Sequence, residues 1–142
     1  MRLAPLYRIT FSYRDRFGAD DELLLLAEGR CEGRVAGSFR AANRARKDGA
    51  TWLPDLHGAV ETEDGATVLL HLTGRGRPDV EPAGRVVGSV THVTEDERYA
   101  WLNETVGAVA GEVYRGDRVV LEVSALVWEP LGESPGYDLS GR

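Results

Sequence analysis

The chain has 142 residues and a formal net charge of −6 at pH 7, which suits one domain that buries about 70% of its unfolded surface without metals or disulfides. Such a charge argues against nucleic acid as a partner, because cationic contacts with phosphate supply most of that affinity. No apolar run approaches the roughly 20 residues of a membrane span, the single Cys31 makes no internal bridge, and no signal-peptide pattern opens the chain, so a reducing cytoplasm is the expected compartment.

Leu3 to Tyr13 alternates cleanly, with Leu3, Pro5, Tyr7, Ile9, Phe11 and Tyr13 on one face. That period predicts a half-buried strand with an aromatic inner stripe. Arg14 to Asp21 reads as a charged turn, and Glu22 to Glu28 as a short buried strand. Gly29, Gly33 and Gly37 are not followed by the Lys-Ser/Thr pair of a phosphate loop, so they are expected at bends of a closing sheet. Val35 to Arg46 predicts a strand with Val35, Phe39, Asn43 and Ala45 facing in. Its arginines, with Arg30, Arg34 and Lys47, form a solvated face. A carboxamide on the apolar side must find hydrogen-bond partners, from the protein or from a ligand.

Asp48 to Leu72 holds Trp52, Asp55, His57 and His71, and turns at Glu63-Asp64-Gly65. Asp-Gly between alternating runs is a hairpin signal. A two-residue turn places Asp55 and His57 on the face of Val68, Leu70 and Leu72; a three-residue turn with Gly65 in the bulge places them with Leu69, His71 and Thr73. The second register is favoured, since it sorts Leu56, Val60, Val68, Leu70 and Leu72 onto one apolar face. Asp55 and His57 are expected to face a cavity, with Asn43 on the same wall.

Gly74 to Gly84 reads as a loop, and Val86 to Val93 as a strand with His92 near its end. Thr94 to Asn103 predicts the one helix, capped by Thr94 with Glu97 reaching back. Tyr99 and Leu102 share one face and Trp101 lies off it; the two aromatics are expected to plug a barrel end. Thr105 to Tyr114 and Arg118 to Trp128 follow as strands around Arg115-Gly116-Asp117, with Val119, Leu121, Val123, Ala125 and Val127 inward. Residues 1–128 thus form the domain and 129–142 a flexible tail. Eight or nine short strands with one short helix point to an all-β antiparallel barrel or sandwich, and the barrel is preferred because closure leaves no exposed edge and the repeated glycines suit its corners.

LAPLYRITFSY, ETEDGATV and ERYAWLN (residues 97 to 103) resemble the bacterial family known as domain of unknown function 3237 over about residues 3 to 128. The resemblance implies a calycin-like, lipocalin-like barrel with a cavity open at one end. It also implies an Asp ten residues before the hairpin Gly, matched by Asp55; relatives often carry Arg where this chain has His57.

Two residues apart on a strand, Asp55 and His57 project from one face and suit acid/base chemistry. They are the expected catalytic pair, with Asn43, Trp52, His71, His92, Tyr7 and Trp101 as expected substrate contacts. His57, His71 and His92 have no compact ligand spacing, so no metal is expected, nor any cofactor. Cys31 lies between opposite charges and no Ser occupies a nucleophile elbow. The expected function is a cofactor-free isomerase, cyclase or dehydratase acting on a hydrophobic small molecule, with a homodimer as a compatible assembly; the alternative is a lipocalin-like carrier or sensor.

Overall fold

Strands that alternate in this way bury one side-chain row when the sheet packs on a second sheet or curls onto itself. In the computed structural model, which describes residues 1–140, it curls onto itself. The strands are β1 (Arg2–Ala19), β2 (Glu22–Gly33), β3 (Gly37–Asp48), β4 (Thr51–Leu53), β5 (Asp55–Thr62), β6 (Thr67–Arg77), β7 (Gly84–Val93), β8 (Gly107–Tyr114) and β9 (Arg118–Val127). All pairings are antiparallel. The ring runs β1-β2-β3-β5-β6-β7-β8-β9 and closes where Arg2 to Ser12 pairs with Val127 to Arg118. β4 is the ninth strand and lies between β3 and β6 beyond the start of β5.

From Tyr7 onward the inner rows fall where the alternation predicts; Leu3 and Pro5, expected on the same stripe, are exposed, because a bulge between Pro5 and Tyr7 breaks the period and turns Leu6 inward instead. Tyr7, Ile9 and Phe11 are buried from β1, and Val119, Leu121, Val123 and Ala125 from β9; Val127 is half-buried. They pack with Phe39, Val60, Val68 and Val90 in one core. An eight-stranded barrel is just wide enough for its side chains to fill, or to admit one small ligand.

Three elements differ from expectation. β1 continues through Arg14–Ala19, where the sequence predicts a turn: after a bulge between Tyr13 and Asp15 it stays paired with Leu23 to Leu26 of β2, beyond the end of its pairing with β9, and this edge is exposed enough for charges. β6 likewise runs on to Arg77 through what reads as loop, leaving only residues 78–83 between it and β7. Glycine allows that continuation, because a Cβ on Gly74 would lie 2.1 Å from the Val87 carbonyl across the ladder. The helix is a 3-10 helix, Glu97–Glu104, and its N-cap is Asp96, whose carboxylate accepts the Arg98 N–H. Thr94 is buried and otherwise occupied: its hydroxyl donates to the Thr67 carbonyl at 2.8 Å, tying the helix approach to β6.

The helix closes one end of the barrel through Leu102, which has no exposed surface. Tyr99 and Trp101 pack beside it, half-buried. From Trp128 to Ser140 the chain forms no helix or strand. No helix among the described residues is long and apolar enough to cross a membrane.

Candidate functional site

The central hairpin adopts the bulged register. His57 pairs with His71 and Leu56 with Leu72, the Thr62 N–H donates to the Ala66 carbonyl, and Gly65 takes φ +90° in the three-residue turn. Leu56, Val60, Val68, Leu70 and Leu72 are all buried in the barrel. Asp55, His57 and His71 therefore stand on the outer face, which corrects the expectation that Asp55 and His57 face the cavity and that His71 contacts substrate there. The reason is the cost of burial. Turning the hairpin inside out would exchange five aliphatic side chains for a carboxylate and two imidazoles in an apolar interior.

Outside, the three side chains form a cluster. His71 Nε2 lies 2.6 Å from Asp55 Oδ1, His57 Nε2 lies 3.4 Å from the same oxygen, and the imidazole rings stack with centroids 4.1 Å apart. The bond with His71, more than the charges around it, holds the Asp55 carboxyl below the usual carboxylate range.

The barrel interior opens at the end opposite the helix, in a cavity of ≈ 180 Å³. Its apolar wall includes Phe11, Leu25, Leu56, Leu121 and Trp52. Trp52 is placed there by β4, which bridges the gap left where β3 parts from β5. Arg16, Arg85 and Asp117 border the same space.

Asn43 sits on the cavity wall, buried, as its strand position predicts. Its Oδ1 accepts the backbone N–H of Asp55 at 3.0 Å, so the amide orientation is fixed, and its Nδ2 donates to the Tyr13 hydroxyl oxygen at 2.9 Å. A phenol that accepts from an amide keeps its own proton for another acceptor, and Tyr13 borders the cavity. Burial pushes the Tyr13 phenol up from its ordinary pKa; the Asn43 bond opposes this and the Asp117 charge adds to it. The hydroxyl is thus protonated at neutral pH. Asp117 has φ 62°, a left-handed conformation that Asp tolerates better than most residues, and its carbonyl accepts the Tyr13 N–H at 3.3 Å.

Tyr7, His92 and Trp101 lie away from the cavity, contrary to their expected role as substrate contacts. Tyr7 donates to His92 Nε2 at 2.7 Å inside the core, and the other ring nitrogen faces the Thr105 carbonyl at 3.4 Å. A carbonyl only accepts, so Nδ1 carries the proton and each group in the chain is satisfied. Trp101 sits at the closed end with the Arg34 guanidinium 4.2 Å from its ring. Cys31 donates to the Val35 carbonyl at 3.0 Å, and burial first, then Glu32, pushes its thiol up to about 12.

Sequence reasoning missed Tyr13, Arg16, Arg85 and Asp117. Tyr13 shares an inner stripe with Tyr7, and alternation cannot tell which tyrosine reaches an open end. The signal that points to it is Asn43, a carboxamide in an apolar row, which demands a partner.

No protein-family model matches the chain, and no curated protein matches it. Solved structures do. A conserved protein of unknown function from Rhodopseudomonas palustris is 18% identical, with a TM-score of 0.78 over 89% of this chain and 97% of that one. A β-barrel-like protein from Acinetobacter baumannii is 21% identical, with a TM-score of 0.77 over 89% and 96%. An enzyme from Penicillium herquei is 20% identical, with a TM-score of 0.53 over 86% and 93%. The likeness is one of fold. The chain shares the antiparallel barrel of these proteins over nearly their whole length.

Proposed function

We propose that this protein is a cofactor-free barrel enzyme, of the isomerase, cyclase or dehydratase type, for a hydrophobic molecule bearing a carbonyl or similar acceptor oxygen. The observation that carries the reading is Tyr13: a neutral phenol in an apolar cavity, with Asn43 on its oxygen and its proton free for a ligand. In this reading Tyr13 hydrogen-bonds the substrate oxygen, and Asp117 takes the proton from the adjacent carbon. The electron pair of the broken C–H bond becomes the C=C bond of the enol, the carbonyl π pair moves onto the oxygen, and that oxygen takes the Tyr13 proton. Return of the proton to another carbon isomerises the substrate; loss of a hydroxyl, protonated to water, dehydrates it. Arg16 and Arg85 favour the negative charge that develops at the mouth.

Size narrows the substrate. A cavity of about 150 Å³ takes a benzene, so ≈ 180 Å³ accepts one ring, and a larger molecule would leave its remainder at the rim near Trp52. The Penicillium herquei neighbour, described as an enzyme, supports the use of this scaffold for catalysis by analogy only. ETEDGATV and ERYAWLN support placing the chain in the family of domain of unknown function 3237. The outward position of Asp55 and His57 favours the second reading, a carrier or sensor, because it leaves the cavity without that acid/base pair.

Deuterium uptake at the carbon beside the carbonyl of 1-indanone and cyclohexenone, followed by NMR in D2O, separates the two. An enzyme accelerates the exchange, and Tyr13→Phe slows it by roughly 10²–10³ while binding weakens little. Ketone binding with no exchange above buffer would leave a carrier.

A further inference from the structure

The cluster outside the barrel plays no part in the cavity chemistry. His57 and His71 are five steps along the ladder from the Thr62↔Ala66 hydrogen bond, so they form a non-hydrogen-bonded pair. At such pairs the Cα atoms approach to about 4.5 Å and the side chains lie closest. Asp55 is two residues from His57, on the same face. Among the described residues this is the one group of three such side chains whose donor atoms lie within 4.8 Å of one another.

Chemistry and placement both favour a cation. Two imidazoles and one carboxylate are the donor set of zinc and neighbouring divalent ions. With Zn–N near 2.0–2.1 Å, ligand atoms of a tetrahedral ion stand about 3.3 Å apart. The two Asp55 contacts, 2.6 and 3.4 Å, bracket that separation. The parallel imidazoles must tilt toward each other, which exposed side chains on a paired hairpin can do without moving the backbone. Arg44 lies close enough to Asp55 to lower its pKa and opposes a cation, but its guanidinium also faces Glu22 at 3.5 Å, which offsets the repulsion. The Asp55 backbone is held by its bond to Asn43, so the carboxylate starts from a fixed place.

We propose that Asp55, His57 and His71 bind one divalent transition-metal ion of the zinc class on the outer face of the β5–β6 hairpin. The ion replaces the hydrogen bond between His71 and Asp55 and links the two strands through their side chains. Three protein ligands leave at least one coordination position to water.

Calorimetric titration of the chelator-treated chain with zinc chloride tests this, together with the visible absorption of the cobalt(II) form. The wild type should take up one equivalent and give the intense d–d bands of a tetrahedral site. His57→Ala and His71→Ala should each weaken zinc binding by more than the roughly 10–100-fold that loss of a supporting partner costs, and Asp55→Asn should weaken it too. All three side chains are on the surface, so circular dichroism should show unchanged folds. No zinc uptake by the folded wild type would overturn the proposal, as would uptake unchanged in the two histidine variants.

Discussion

Buried between Tyr7 and the Thr105 carbonyl, neutral His92 accepts the Tyr7 proton at Nε2 and donates from Nδ1, and a charge on the ring would have to be held out of water. Burial lowers its pKa, and the Thr105 carbonyl opposes that shift. The unfolded chain titrates near the ordinary value, about 6.5. Below it the unfolded state binds a proton that the fold refuses, so the stability that His92 contributes is present above that pH and is lost as pH falls toward the folded value. Urea melts of the wild type should therefore lose stability as the pH falls from about 6.5 to 5. In His92→Gln that component should vanish. Parallel slopes for the two proteins would mean that His92 already takes its proton in the fold.

At the scale of the element, the β5–β6 hairpin depends on its turn. Thr62 Oγ1 accepts the Ala66 N–H at 2.7 Å, and Tyr99 donates to Asp64 at 2.8 Å, tying the turn to the short helix. Gly65 at φ +90° completes the bulge and so sets which residues face inward. Gly65→Ala meets no clash, since nothing lies within 4 Å of the added Cβ, but it places an L side chain in a left-handed conformation. We expect a loss of about 1–2 kcal/mol, seen as a fall of several degrees in Tm with the cavity intact. An unchanged Tm would show that the turn re-forms in another register.

The whole molecule is held by ring closure between strands at opposite ends of the chain, with β1 against β9. Residues beyond that closure add little burial: Leu131, Tyr137 and Leu139 are all largely exposed. Met1 and Arg2 reach Glu129 only through exposed contacts at 3.7 Å, worth little in water. Truncation after Pro130 should change stability by less than about 1 kcal/mol, which for this size is a Tm shift of no more than about 4 °C. A larger fall would show that the segment packs on the barrel in solution.

Alternation and turn chemistry are local, and they were legible in the sequence: the inner rows of β1 and β9, the bulged hairpin register and the Arg115-Gly116-Asp117 turn all follow from neighbours a few residues apart. Asn43 was legible as a residue in need of partners, though its partners were not. Tyr13 lies 30 residues from it and Asp55 lies 12, and only the curling of β1, β2, β3 and β5 brings the three together. Closure also decided which end the helix seals and which stays open, separating Tyr13 at the mouth from Tyr7 in the core although both lie on one stripe. It placed Asp55, His57 and His71 outside, because the interior of a small barrel goes to the side chains that lose least on leaving water.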